Sequence, residues 1–140
     1  MKGCYCLIIN VNAPKTIKIG KKLGKIHFDE GHYIYVGSAM NSLMARIKRH
    51  LSSEKKLHWH VDYLLENAEI TDVIYNESTR KVECELSEFI ASKTNGIAGF
   101  GCSDCTCKSH LYYFKNRNEA IECVLNAYDS ITMPCIFFKD

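Results

Sequence analysis

The sequence has few of the features that interrupt regular structure or mark unusual classes of protein. Its 140 residues include two prolines and one tryptophan, and no internal repeat is present. Hydrophobic residues make up 46% and charged residues 24%, which excludes a disordered chain or a fibre. The longest apolar stretches, residues 4–9 and 136–138, are far too short to span a bilayer. Met1-Lys2-Gly3 leads into no signal-peptide run, so we expect one cytoplasmic domain over residues 1–140, without a membrane partner.

The distribution of charge is more informative than the net charge of +2. Residues 1–60 carry 11 basic and 3 acidic residues, a balance of +8, whereas residues 61–140 carry 7 and 13, a balance of −6. A basic half beside an acidic half is typical of a surface that faces a polyanion, with acidic groups kept elsewhere for a metal or for solubility. Solvated faces on a neutral domain are the alternative that charge alone leaves open.

Eight cysteines is a high count for a chain in which no export signal is found, so disulfides are not expected. Five of them lie among apolar residues and are interpreted as small buried hydrophobic residues, namely Cys4, Cys6, Cys84, Cys123 and Cys135. The others belong to a segment that could bind Zn²⁺ tetrahedrally through Cys102, Cys105, Cys107 and His110. Because Cys-x-Cys is a tighter step than the usual Cys-x-x-Cys, a packed, hydrogen-bonded loop is the alternative.

The hydrophobic pattern predicts alternating strands and helices. Strands are predicted at residues 4–11, 32–36, 70–75, 110–114 and 136–138, with a hairpin formed by residues 16–19 and 25–28. Three helices are predicted, one with Leu43, Ile47 and Leu51 inward, one beginning at Ser78 or Thr79, and one beginning at Asn116 or Asn118. This order predicts an α+β domain with a small antiparallel sheet.

Two groups of polar residues could carry chemistry. On the first predicted helix, Arg46 and His50 lie one turn apart, outside the apolar stripe. In His58-x-His60-x-Asp62, all three side chains would share one face of a strand, as a metal or phosphate site, but would spread around a helix. The histidines could donate protons to a leaving oxygen or be ordinary core residues. Trp59 could stack on a base or simply pack.

Several ordered segments resemble the GIY-YIG nuclease superfamily. Gly3-Cys4-Tyr5 is followed about thirty residues later by Tyr35-Val36-Gly37 and then by Arg46, with apolar replacements inside both triplets. The remaining segments resemble one branch of that superfamily, small archaeal and bacterial domains of which some are fused to a DNA-repair glycosylase. They are Tyr33–Ala39, Arg46–Leu51, Lys56–Leu64, Glu83–Leu86 and Gly99–Leu111.

The resemblance implies a small three-stranded antiparallel sheet flanked by helices, to which the hydrophobic pattern adds a hairpin and a C-terminal helix. It also implies metal-dependent hydrolysis of phosphodiester bonds with Mg²⁺ or Mn²⁺, with DNA and a DNA-repair protein as partners. Tyr5 and Tyr35 match tyrosines that help to activate water, and Arg46 matches the arginine that steadies the scissile phosphate. The metal-binding glutamate falls at Glu83, with Glu85 as the second candidate.

These roles are chemically reasonable. A tyrosine of pKa near 10 is a poor base until a cation lowers that value, and arginine forks onto phosphate oxygens. A single carboxylate with waters is a usual way to hold Mg²⁺.

We therefore predict an endonuclease with the catalytic residues Tyr5, Tyr35, Arg46, His50, His58 and His60. The predicted contacts to nucleic acid, whether DNA or RNA, are Lys22, Arg49, Lys55, Lys56 and Trp59. A binding module without cleavage and a zinc-stabilised domain centred on Cys102–His110 are the alternatives.

Overall fold

The computed structural model describes residues 1–102 and 107–139 and has a five-stranded antiparallel sheet beside a two-stranded hairpin. The strands are β1 (Gly3–Val11), β2 (Lys15–Lys18), β3 (Lys25–Phe28), β4 (Gly31–Ala39), β5 (Glu69–Glu77), β6 (Leu111–Phe114) and β7 (Ile136–Phe137). The helices are α1 (Gly20–Leu23), α2 (Leu43–Leu51), α3 (His60–Leu65), α4 (Glu83–Ala91) and α5 (Arg117–Ser130).

The large sheet has the strand order β6-β4-β1-β5-β7, which confirms the α+β class but not the predicted sheet of three strands. The central three strands pair over almost their whole length, with Tyr5 opposite Gly37 on one side and opposite Tyr75 on the other. Strands β6 and β7 then pair with the outer edges of β4 and β5. The predicted sheet thus has too few strands. Two short segments, β6 and β7, pair with edges that would otherwise expose unpaired backbone groups.

Strand β1 is buried on both sides, as its continuous apolar sequence predicts. We call the side that carries Tyr5 and Tyr35 the tyrosine face; the β2–β3 hairpin, α2, α3 and Phe100 pack against it. We call the side that carries Cys4 and Cys6 the cysteine face, and it packs against α4 and α5. The candidate site lies at the end of the sheet where these two layers meet.

Helix α2 buries a different stripe from the predicted one. Leu43, Ile47 and His50 face the core, whereas Leu51 is 42% exposed. A helix advances about 100° per residue, so seven residues bring His50 within about 20° of Leu43, while Leu51 lies about 80° away. His50 is therefore a core residue of this helix, although the predicted stripe excluded it.

Of the other predicted helix starts, the one at α5 agrees with the structure and the one at α4 does not. Asn116 caps α5 by accepting a hydrogen bond from the backbone N–H of Glu119 at 2.9 Å, which confirms one of the two predicted caps. Helix α4 begins at Glu83, several residues after the predicted caps Ser78 and Thr79, and α1 and α3 were not predicted. Among the described residues no helix could cross a membrane, the longest being the 14-residue α5.

Candidate active site

A cleft of about 380 Å³ opens where β1 begins and β4 ends. Residues from six separate segments line it. Seven of these residues were predicted from the sequence, namely Tyr5, Tyr35, Arg46, His58, Trp59, His60 and Glu83. Six further lining residues have no predicted role in phosphodiester chemistry: Val36, Gly37, Ser38, Lys81, Gly101 and His110. The structure therefore gathers in one place most of the groups that the family resemblance assigns to a nuclease centre.

Gly37 allows the Tyr5 phenol to reach this cleft. The two residues are opposite each other in the β1–β4 register, and the Tyr5 ring crosses the Gly37 backbone. A Cβ atom at position 37 would lie 2.6 Å from both Cζ and Oη of Tyr5. Any larger residue would push the phenol away, so the glycine of the Tyr-Val-Gly triplet has a direct steric role.

A hydrogen bond to His50 holds the Tyr5 hydroxyl in place. Tyr5 Oη lies 2.7 Å from His50 Nε2, and both side chains are buried. Burial lowers the pKa of His50 to about 3, so the imidazole is neutral at physiological pH. Its Nδ1 atom has no hydrogen-bond partner among the described residues. His50 does not line the cleft, so it can act on bound groups only through Tyr5.

Both signature tyrosines are protonated at neutral pH. Burial raises the pKa of Tyr5, and the nearby Arg46 charge offsets only part of that increase. Burial also raises the pKa of Tyr35 well above its ordinary value, and the neighbouring Tyr5 raises it further. Neither phenol can serve as a ready-made base, so any activation of water here requires added positive charge.

Trp59 fixes the guanidinium group of Arg46. The Arg46 Cζ atom lies 4.4 Å from the Trp59 ring centroid, and Nη1 donates a hydrogen bond to the Ser38 carbonyl at 3.2 Å. Arg49 lies over the same indole at 4.3 Å. Such contacts hold a cation in place, because the π face of an indole attracts positive charge. Trp59 therefore orients two arginines.

Asp62 has a structural role that the sequence analysis did not identify. Its carboxylate is fully buried and accepts hydrogen bonds from Arg49 at 3.0 and 3.1 Å and from the backbone N–H groups of His58 and Trp59. Burial alone would raise the pKa of Asp62, but these four hydrogen bonds outweigh that effect and lower it. The strand interpretation of His58-x-His60-x-Asp62 is wrong, because Asp62 instead caps the N-terminus of α3.

His58 and His60 still face the cleft. His60 Nδ1 accepts a hydrogen bond from the Gly101 N–H at 2.8 Å, and Gly101 has a φ of +73° that favours glycine. Since Nδ1 is the acceptor, Nε2 carries the proton of the neutral ring. Burial and the positive charge of Lys22 lower the pKa of His60, so this neutral form is dominant at pH 7.

The structure distinguishes the two candidate metal-binding glutamates. Glu83 is the first residue of α4, lines the cleft, and has a side chain only 17% exposed, with an oxygen 3.1 Å from Lys81 Nζ. The Val82 N–H donates a hydrogen bond to Cys4 Sγ, which anchors this helix end to β1. Glu85 is 50% exposed, pairs with Arg80 at 3.4 Å, and does not line the cleft.

The predicted phosphate-contacting residues divide into two groups. Lys22 and Lys56 are exposed, and Lys22 is near enough to His60 to affect its pKa. Arg49 is engaged by Asp62 and by the Lys56 carbonyl, and Lys55 Nζ donates to the carbonyls of His50 and Ser52. Arg49 and Lys55 therefore hold the segment between α2 and α3, and the two exposed lysines are better placed to meet a polyanion.

The cysteine segment is organised differently from the prediction. Cys107 and His110 meet Cys84 of α4, and the three ligand atoms lie within 4.8 Å of one another, a group that could hold a metal ion. Cys84 is thus not a simple buried hydrophobic residue. Cys102 is not in this group, its Sγ lying 3.4 Å from the Phe100 carbonyl, and Cys105 lies outside the described residues.

Comparison with known proteins gives one result. Residues 4–133 match the family model whose description is "Domain of unknown function DUF123". No curated protein and no solved structure matches the chain. The chemistry must therefore be inferred from the cleft.

Proposed function

The chain belongs to the DUF123 family, and from its cleft we propose that it is a metal-dependent endonuclease of the GIY-YIG type, acting on nucleic acid in DNA repair or processing. One observation carries the proposal: two phenols, one guanidinium, three imidazoles and one carboxylate from distant parts of the chain line the same cleft. Phosphodiester hydrolysis needs a phosphate clamp, an oriented water and stabilisation of developing charge, and these residue types supply each of them.

Arg46 is the phosphate clamp. Its guanidinium is partly exposed, held by the Ser38 carbonyl and the Trp59 ring, and turned toward the cleft. Arginine presents several parallel N–H donors that match phosphate oxygens, and it stays charged at every physiological pH. Because its position is fixed before substrate binds, it can stabilise charge that develops in the transition state without reorganising.

Tyr5 orients the attacking water. Its hydrogen bond to neutral His50 fixes the phenol, so that Oη keeps one position at the wall of the cleft. His50 cannot store a proton, because burial lowers its pKa to about 3, and it therefore acts as a positioning residue. Tyr35 supplies a second neutral hydroxyl on the same wall.

Glu83 fits a divalent cation. It is a partly buried carboxylate facing the cleft, and one carboxylate completed by waters suits Mg²⁺ or Mn²⁺. The ion would replace Lys81 as its partner. When bound, a divalent cation supplies the positive charge that lowers the pKa of a bound water and polarises a phosphoryl oxygen.

The two histidines serve the leaving group. His60, neutral and protonated on Nε2, can donate a hydrogen bond to an oxygen in the cleft. The exposed His58 is the candidate proton donor to the leaving oxygen. Lys22 and Lys56 would contact flanking phosphates without selecting a sequence.

A nuclease assay tests the proposal. The full chain is incubated with single-stranded, duplex and branched DNA and with RNA, with and without Mg²⁺ or Mn²⁺. Cleavage should require the cation, and Arg46→Ala and Glu83→Gln should each reduce the rate about 10² to 10³-fold. Glu85→Gln is the matched control, because it removes a charge two residues away on the same helix but outside the cleft. Equal cleavage by wild type, Arg46→Ala and Glu83→Gln would reject the site.

A binding module without cleavage is the second candidate, favoured by the exposed Lys22 and Lys56, of which Lys22 is near enough to the cleft residue His60 to lower its pKa. Such a module would bind nucleic acid with strong salt dependence and show no metal-dependent turnover. Lys22→Gln and Lys56→Gln should weaken binding on either hypothesis, whereas the effect of Glu83→Gln on turnover belongs to the nuclease alone.

A further inference from the structure

We propose that Cys84, Cys107 and His110 form a zinc site that ties the loop preceding β6 to helix α4. Two thiols and one imidazole come together from positions far apart in sequence, and their ligand atoms lie within 4.8 Å of one another. The zinc site does not depend on the proposed nuclease activity. It shares Cys107 and His110 with the Cys102, Cys105, Cys107 and His110 set that the sequence offers as one alternative, but it adds Cys84 from a distant helix.

The spacing is close to that of a bound ion. Zinc bonds of about 2.3 Å to sulfur and about 2.0 Å to nitrogen, at tetrahedral angles, place two sulfur ligands about 3.8 Å apart. Cys84 and Cys107 are only partly buried, so rotation of their side chains can close a gap of about 1 Å. Thiolate and imidazole ligands select zinc over Mg²⁺, which prefers oxygen.

His110 is already positioned as a metal ligand would be. Its side chain is buried. Its backbone N–H donates a hydrogen bond to the Phe100 carbonyl, and its backbone carbonyl accepts one from the Val36 N–H, both at 2.9 Å. Ser87, one helical turn after Cys84, places Oγ 2.7 Å from His110 Nδ1. Metal-binding histidines usually have one ring nitrogen hydrogen-bonded by a neighbouring group, and Ser87 provides such a contact here.

The group is also accessible. Cys84, Ser87 and Cys107 line a surface pocket of about 330 Å³, which gives an ion a path to the ligands. Three protein ligands leave the fourth tetrahedral position for a water or another group.

Zinc here would stiffen one wall of the candidate active site. His110 and Gly101 line the cleft, and Cys84 is the residue after Glu83. A bond network through the ion would hold the loop that positions His60 against the helix that carries Glu83. The zinc site differs from the cation proposed at Glu83 in ligand chemistry and in position.

Metal analysis of the full chain tests the proposal. Protein purified under reducing conditions without chelator should contain about one zinc per chain. Co²⁺ replacing it should give the charge-transfer absorption of thiolate ligands and the visible bands of tetrahedral cobalt. Cys84→Ser and Cys107→Ser should each lower zinc affinity at least tenfold. Cys102→Ser, a cysteine of the same segment that the structure leaves out of the group, is the matched control and should keep the ion.

A second measurement does not depend on the folding of any variant. Removing zinc from wild type with a strong chelator should lower the thermal midpoint, and Zn²⁺ but not Mg²⁺ should restore it. Several outcomes would overturn the site: no zinc in wild type, full affinity in Cys84→Ser, equal loss in Cys102→Ser, or a Cys84–Cys107 disulfide found by mass spectrometry in place of bound metal. The nuclease proposal stands or falls separately, on the effects of Arg46→Ala and Glu83→Gln.

Discussion

The two faces of the central sheet are built from the same strands but contain different chemistry. On the tyrosine face, Tyr5 and Tyr35 meet buried His50, and Asp62 lies in the adjoining segment. On the cysteine face, small thiols and aliphatic side chains meet α4 and α5, and Tyr128 donates a hydrogen bond to the Cys4 carbonyl at 2.9 Å. The contrast shows that the polar groups of the candidate site are fixed by long-range hydrogen bonds, whereas the opposite layer mainly supplies apolar packing.

That contrast has a physical reason. A buried polar group destabilises the fold unless it is hydrogen-bonded, so a cleft with several polar groups needs partners set by the fold. Asp62 and Arg49 join α3 to α2, and His50 joins α2 to β1. Helix α4 then brings Glu83 from the cysteine face to the same end of the sheet. The cleft therefore depends on both layers, but the hydrogen bonds that fix its polar side chains lie mainly on the tyrosine face.

The largest effect is expected from Asp62→Ala. This change leaves Arg49 and two backbone N–H groups without their acceptor, and removing one partner of a buried ion pair is strongly destabilising. We expect the free energy of unfolding to fall by about 3 kcal/mol, near the lower end for buried pairs because Arg49 reaches water. Urea denaturation followed by Trp59 fluorescence measures it.

The matched control for Asp62 is another bidentate pair, Asp72–Arg117, with contacts of 2.7 Å. The Asp72 side chain is only 9% exposed, but its partner Arg117 is 51% exposed, against 28% for Arg49. Asp72→Ala should cost less, because the half-exposed Arg117 that loses its partner can be hydrated by solvent. Equal losses in the two variants would mean that the exposure of the arginine left without a partner does not decide the cost.

A somewhat smaller effect is expected from Gly37→Ala. The added methyl group would overlap the Tyr5 ring, and overpacking of this kind typically costs about 1–3 kcal/mol. A double-mutant cycle with Tyr5→Ala isolates the cause, because the penalty should vanish once the ring is removed. Undiminished destabilisation in the Tyr5→Ala background would assign it to the β4 backbone and not to the phenol.

The pH dependence of stability should depend partly on His50. Its pKa is about 3 in the folded protein, against an ordinary value near 6.5, so the unfolded chain binds the proton first. The stability present above the ordinary pKa is therefore lost as pH falls toward the folded value. Between about pH 7.5 and about pH 5.5, His50 should account for a loss of about 1.4 kcal/mol.

Urea titrations of wild type and His50→Gln at several pH values test this. The variant should have a flatter profile, since Gln does not titrate in this range. His60 and His110, whose pKa values burial also lowers, remain in both proteins and cancel in the difference. Parallel profiles for the two proteins would contradict a neutral, buried His50.

The sequence predicts much of the fold and most of the cleft, for identifiable reasons. The prediction of the fold rests on the apolar pattern of β1. The prediction of the cleft rests on the family resemblance, which is carried by Tyr5, Tyr35, Arg46 and Glu83. Local patterns could not place Cys84 beside Cys107, because that contact depends on how α4 packs against a distant loop.

Helix α3 was missed because its six residues carry no full hydrophobic period. The missed signal was Asp62, which lies three residues after the helix cap. The burial of His50 could have been found by extending the α2 stripe to position i+7.

The smallest effect is expected from Tyr128→Phe, a change on the cysteine face. The change removes one buried hydrogen bond, to the Cys4 carbonyl, and leaves the ring packing intact. We expect a loss of about 1 kcal/mol in the free energy of unfolding and no change in metal-dependent cleavage. Tyr5→Phe removes a buried hydroxyl from the other face, so it should cost a similar stability but also reduce cleavage. Both variants delete one phenolic oxygen, so measuring stability and activity for each distinguishes a structural phenol from one that contacts substrate. Equal activity in the two variants would mean that Tyr5, like Tyr128, is a packing residue.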